Sequence, residues 1–169
     1  MKAQAEHVGT KTVYDFITEV DFETRPFRAI GEGGTEYIAD TIIIATGAQA
    51  RWLGLPAEEK FRGLGVSACA TCDGFFFRGK EVAVVGGGNS AVEEALFLTN
   101  FCSKVTLIHR RDALRAEKIM QDRLFAHEKI EIVWDHVVED IEGIGHNEGG
   151  TPGMTGVVVK NVKTGEIQT

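Results

Sequence analysis

Only three cysteines occur in this chain of 169 residues. That is too few for a secreted disulfide scaffold, and the close spacing of two of them favours redox or metal chemistry. Basic residues are also in deficit. The 18 Lys and Arg stand against 25 Asp and Glu, for a net charge of −7. Such an acidic chain is a poor match for bulk binding to nucleic acid or to an anionic membrane. No stretch approaches the roughly 18 apolar residues of a membrane span. The opening residues, Met1 to His7, lack the apolar core of a signal peptide. Low-complexity segments are absent too. These absences lead to the expectation of a cytoplasmic protein with no nucleic-acid or membrane partner. The length suits one ordinary domain, and a hydrophobic content of 43% can supply a core.

What is present concentrates between Cys69 and Ala91. A thiol pair, Cys69-Ala70-Thr71-Cys72, lies just upstream of a glycine-rich turn, Gly86-Gly87-Gly88-Asn89-Ser90-Ala91, with the apolar run Val82 to Val85 between them. The turn fits G-x-G-x-x-A. Its first glycine permits a tight turn, its second lets backbone approach a pyrophosphate, and its third position must be small for helix to pack on strand. Here it follows an expected strand and opens an expected helix, the context that the fingerprint needs. A plain glycine-rich β-α turn is the blander alternative.

The next strand end bears on the choice of nucleotide. An NADH site usually places Asp or Glu there, on the ribose 2′-hydroxyl. This chain has His109-Arg110-Arg111-Asp112 and then Arg115. Guanidinium forks match the oxygens of a 2′-phosphate, so NADPH is favoured. Arg111 and Arg115, four apart, would share a face if a helix began early enough. The competing reading is a solvated basic patch at a helix start. For Cys69 and Cys72 three readings stand: a reversible disulfide, half of a zinc site, or ordinary thiols. No second pair completes a zinc site, and His7, His109, His127, His136 and His146 are scattered, so no metal is expected. Asp73 beside the pair is either a proton-handling acid or a turn residue before Gly74. Cys102 reads as a small core residue.

In chain order, residues 1–48 read as β-rich. Strands are expected over Thr12–Val20, Asp21–Ile30 and Thr35–Ala39, with a turn at Gly31–Gly34. Thr41–Ala48 reads as a strand buried on both faces, ending in a glycine turn. Gln49–Leu64, with the polar cluster Glu58-Glu59-Lys60, is the candidate linker. A strand from Glu81 to Gly86 then leads into a helix that turns Val92, Ala95, Leu96 and Thr99 to one side. Val105–Ile108 is the next strand. A second helix is expected over Asp112–Ala126, with Asp112 as N-cap and Ala116, Ile119, Met120 and Leu124 inward. Strands follow at Ile130–Trp134, Val137–Ile141, Gly156–Val162 and Glu166–Gln168, with a loop over 146–153.

Three blocks, Ala68-Cys69-Ala70-Thr71-Cys72-Asp73-Gly74-Phe75-Phe76, Gly86 to Ala95 and His109-Arg110-Arg111-Asp112, occur in the order and spacing of a known family. The chain resembles the low-molecular-weight, bacterial-type thioredoxin reductases. The resemblance implies an α/β fold. A Rossmann-like, three-layer NADPH domain with a β meander would span 49–169, preceded by the C-terminal part of an FAD domain at 1–48. It implies a homodimer in which NADPH reduces FAD, FAD reduces the Cys69–Cys72 disulfide, and the dithiol reduces thioredoxin. Cys72 would face the flavin, Cys69 would attack thioredoxin, and Asp73 would handle protons. Gly86, Gly88, Asn89, Ser90 and Ala91 would hold the pyrophosphate, His109, Arg110, Arg111 and Arg115 the 2′-phosphate end, and Thr46 and Gly47 part of the flavin. On this resemblance the chain is expected to be an internal piece, inactive by itself. The flavoprotein subunit of an alkyl hydroperoxide reductase and a non-catalytic nucleotide-binding module remain the alternatives.

Overall fold

A strand forms only where its backbone finds a partner, and the first third of the chain illustrates this. The computed structural model describes residues 1–146 and 148–169. They divide into two compact units, Met1–Ala48 and Gln49–Thr169. In the first, a short helix α1 (Lys2–His7) precedes strands β1 (Ile17–Asp21), β2 (Phe27–Gly31) and β3 (Glu36–Ala39). The three make an antiparallel meander in which Val20 faces Ala29 and Ala29 faces Tyr37. The glycine turn after β2 is closed by Gly31 N–H donating to Thr35 O at 2.8 Å, with Gly34 at φ 79°.

Two expectations fail in this unit. The strands are shorter than expected, because Asp21 folds the chain back on itself: its carboxylate accepts from Glu23 N–H at 2.8 Å and from the Thr24 hydroxyl at 3.1 Å. Those bonds compete with a ladder. The Ile-rich segment 41–48 is not a strand. Ile43 is 91% exposed, and the sheet of this unit ends at β3 among the described residues. A run buried on both faces needs parallel neighbours and a covering layer, and apolar content alone supplies neither.

In the second unit the expected linker turns out to be structured. Helix α2 (Pro56–Phe61) starts with proline at its first position, where the missing N–H costs nothing. The Glu58 carboxylate turns back and accepts from the N–H groups of Leu53, Gly54 and Leu55 at 2.9, 2.7 and 3.1 Å. Phe61 is fully buried. A short helix α3 (Ala70–Asp73) and a 3-10 turn (Gly74–Phe77) lead to β4 (Glu81–Val85), α4 (Asn89–Leu98), β5 (Lys104–His109), α5 (Lys118–Phe125) and β6 (Ile130–Trp134).

Strands β4, β5 and β6 form one parallel sheet in that order, with Val84 beside Leu107 and Leu107 beside Ile132. Consecutive parallel strands joined through helices make this a Rossmann-like α/β unit. Val92, Ala95 and Leu98 of α4 and Leu124 of α5 share one core with Val84, Val105, Leu107 and Cys102. An antiparallel meander follows: β7 (His136–Ile144), β8 (Gly153–Asn161) and β9 (Ile167–Gln168). The expected turn at 163–165 is present, with Asn161 Oδ1 accepting from Lys163 and Thr164 N–H. The expected loop at 146–153 includes Asn147, outside the described residues, and Gly153 already belongs to β8.

The second helix departs most from expectation. It begins at Lys118 instead of following Asp112, and Ile119 is 63% exposed. Residues 110–117 are diverted into other bonds. Arg115 N–H donates to Gly87 O at 2.7 Å, Glu117 N–H to Asn89 Oδ1 at 2.8 Å, and Asp135 N–H to Arg111 O at 3.3 Å. A backbone satisfied from outside has no need of helical partners.

Candidate functional site

The glycine turn between β4 and α4 is shaped by its neighbours. A Cβ on Gly86 would come within 2.7 Å of the Ala91 methyl, so the first position must be bare and the last one small. Gly86 also has φ 149°, strained for any side chain. A Cβ on Gly87 would strike the His109 ring at 2.3 Å. Gly88 differs: nothing lies within 4 Å of its would-be Cβ. Here the backbone has open space at the first turn of a ten-residue helix. The early N–H groups of a helix have no intrahelical acceptor, and the helix dipole favours an anion there. The arrangement fits a phosphate.

The segment after β5 closes against this turn. His109 is buried, and its Nε2 lies 3.0 Å from Ala113 O. Its ring meets Trp134 edge-on at 6.2 Å. It acts as a strut between the turn and the loop, packed away from any solvent-side ligand. Arg110, Arg111 and Arg115 are all exposed on the loop. They are not on a helix, so the expected shared helical face is absent, although backbone bonds bring their loop to the glycine turn. Among the described residues none of their guanidiniums lies in a salt bridge with a carboxylate. Asp112 pairs instead with Lys163 at 3.5 Å. Lys163 also binds Asp135 at 2.8 Å, and this hydrogen bond raises its pKa.

Cys69 and Cys72 are joined by a disulfide. Cys69 is the N-cap of α3, and its sulfur accepts from Cys72 N–H at 3.2 Å and lies 3.4 Å from the Thr71 hydroxyl. Asp73 is half-buried and accepts from the Ser67 hydroxyl at 2.6 Å, while Ser67 Oγ accepts from Cys69 N–H at 3.1 Å. The single free cysteine, Cys102, is buried in the core, and that burial raises its pKa, so it stays a thiol. No cluster of metal-ligating side chains occurs among the described residues. Thr46 and Gly47, in the other unit, are exposed, and Gly47 takes φ 79° with open space around it.

Residues 3–168 match the family model described as pyridine nucleotide-disulphide oxidoreductase. The chain belongs to that family. Among relatives, a thioredoxin reductase of Rickettsia conorii is 58% identical over 167 residues, covering 99% of this chain and 53% of that protein. The solved thioredoxin reductase of Lactococcus lactis is 47% identical with TM-score 0.71, covering 96% of this chain and 52% of its own. That of Giardia duodenalis reaches TM-score 0.79 at 39% identity, covering 99% and 52%. The chain thus spans about half the length of the relatives it matches.

Structure assembles two local sites in this member of the family. Gly86–Ala91 and the arginine loop share hydrogen bonds; the Cys69–Asp73 segment has its own network and no hydrogen bond to the glycine turn among the described residues. Ser67 and Thr71 escaped the sequence reading. Their only signal was a hydroxyl within three residues of Cys69, which is common on any surface.

Proposed function

We propose that this chain is the nucleotide-binding and dithiol-bearing part of an NADPH-dependent thioredoxin reductase, a homodimeric cytoplasmic flavoprotein. The observation that carries this reading is the pairing, within Gln49–Thr169, of a C-x-x-C disulfide with a glycine turn tied to a loop that bears three exposed arginines. Gly86, Gly88, Ser90 and Ala91 would receive the pyrophosphate, with Asn89 taking part through its backbone N–H alone, and Arg110, Arg111 and Arg115 would receive the 2′-phosphate. Their donors fit a doubly anionic dinucleotide. Arginines instead of an acid directly after β5 support NADPH over NADH. His109 supports the site from beneath.

Flavin, when bound, supplies the two-electron relay between nicotinamide and disulfide. Thr46 and Gly47 would touch it. Within 1–48, however, no glycine turn opens onto a helix among the described residues, so these residues do not by themselves fit the whole FAD. The chemistry of this chain's own residues is simpler. The Cys69–Cys72 bond takes up two electrons and two protons to become two thiols, and Asp73 stands beside it to move a proton. Cys69 would then attack the disulfide of thioredoxin as a thiolate. Its sulfur already has the Cys72 N–H and the Thr71 hydroxyl nearby, groups that suit a negative sulfur.

The test needs no flavin. The chain is reduced with a small dithiol, desalted, and mixed with oxidised thioredoxin. Stoichiometric appearance of reduced thioredoxin, lost in Cys69→Ser, is the expected result. No transfer from a demonstrably reduced Cys69–Cys72 pair would overturn the assignment.

A further inference from the structure

The arginine loop is anchored in the core by two buried side chains, Leu114 and Ala116. Its three guanidiniums are exposed, and residues 110–117 lie outside both β5 and α5. Besides the Asp135 N–H bond to Arg111 O at 3.3 Å, it has three ties to the glycine turn. One is backbone to backbone, Arg115 N–H to Gly87 O at 2.7 Å. A second runs through the buried His109 ring to Ala113 O. The third is made by a side chain: Asn89 Oδ1 accepts from Glu117 N–H at 2.8 Å, across 28 residues of sequence.

From this third tie we propose that Asn89 is a specificity-positioning residue. It holds the arginine loop where the loop receives a 2′-phosphate, without itself touching that phosphate. The inference rests on the reading of Arg110, Arg111 and Arg115 as the 2′-phosphate site. The partner is an N–H donor, so the atom facing it must be the amide oxygen, and the orientation of the side chain is settled by chemistry. Asn89 is the first residue of α4 and Glu117 is the N-cap of α5. One side chain therefore joins the start of the phosphate-binding helix to the last residue of the loop. Asparagine suits this place better than aspartate. Both offer the acceptor, but a carboxylate would set a negative charge beside the anion that the helix N-terminus attracts. Asn89 is exposed and packs in no core cluster.

The experiment measures binding of 2′-AMP, 5′-AMP and adenosine by calorimetry to the parent chain, Asn89→Ala and Asn89→Asp. 2′-AMP reads the arginine loop and 5′-AMP reads the glycine turn. Asn89→Ala is expected to weaken 2′-AMP about fivefold, the worth of one net hydrogen bond, and 5′-AMP less than about twofold. Asn89→Asp keeps the acceptor and adds a charge at the helix N-terminus, so it is expected to weaken 5′-AMP more than 2′-AMP, the reverse of Asn89→Ala. Asn89→Ala weakening both equally, or neither, would overturn the positioning role while leaving the arginine site intact. So would Asn89→Asp weakening 2′-AMP more than 5′-AMP. A parent chain that binds 2′-AMP no better than adenosine would overturn the 2′-phosphate reading and this inference together.

Discussion

Unit 1 and unit 2 are built from similar materials and reach different ends. Both contain an antiparallel three-stranded meander, and both contain a glycine turn after an apolar run. Yet every buried apolar side chain among the described residues lies in Gln49–Thr169. In Met1–Ala48 the helix α1 buries nothing, and Phe16, Ile17, Val20 and Ile38 of the sheet region are all more than a third exposed. The difference is a second layer. The parallel sheet of unit 2 has α4 and α5 packed against it, and a sheet face becomes a core only when something covers it. The same contrast decides the glycine turns. Gly86 opens onto ten residues of helix and so presents N–H groups to an anion, whereas Gly47 opens onto irregular chain.

The largest effect that would break this comparison is on stability. Leu107 is fully buried, so Leu107→Ala should lower the unfolding free energy by about 2–5 kcal/mol. Ile38 is 61% exposed, and Ile38→Ala should change it by less than about 0.5 kcal/mol. Urea unfolding measures both. Comparable losses would mean that unit 1 hides a core of its own.

A smaller effect concerns the entrance to unit 2. Glu58 is buried and gathers three backbone N–H groups, whereas residues 41–48 have no such clamp. Glu58→Gln removes the charge and leaves a single carbonyl acceptor. The expected cost is about 1–3 kcal/mol, with faster amide exchange at Leu53, Gly54 and Leu55. Exchange unchanged at those three positions would show that the clamp holds nothing.

The smallest effect is electrostatic. Lys163 has its pKa raised by hydrogen bonding to Asp135 and by the charges of Asp135 and Asp112. A base with a raised folded pKa stabilises fully below its unfolded value, about 10.4 for lysine, and loses that contribution as pH rises through the folded value. Melting temperatures of the parent and Lys163→Met should therefore differ slightly at neutral pH and converge in strong alkali. A difference that persists there would trace to packing instead of charge.

Much of unit 2 could be read from residue order. The apolar run Val82–Val85, the glycine fingerprint and the Val92–Ala95 face made β4 and α4 legible, because local hydrogen bonding and a 3.6-residue period both point the same way. Cys69 and Cys72 left three chemistries open, and in the structure the two are disulfide-bonded. Elsewhere local signals misled. Asp112 looked like a helix cap, and Glu58-Glu59-Lys60 looked like a solvated linker. On the loop after β5 distant groups, Gly87 O and Asn89 Oδ1, had the stronger claim on the backbone, whereas before α2 the claimant was local, the buried Glu58 carboxylate on Leu53–Leu55. Residue order alone determined the groups available to this protein, a thiol pair, a glycine turn ahead of a helix and three arginines after β5. Tertiary structure decided which of them meet, because a hydrogen bond between residues 28 apart leaves no periodic trace in sequence.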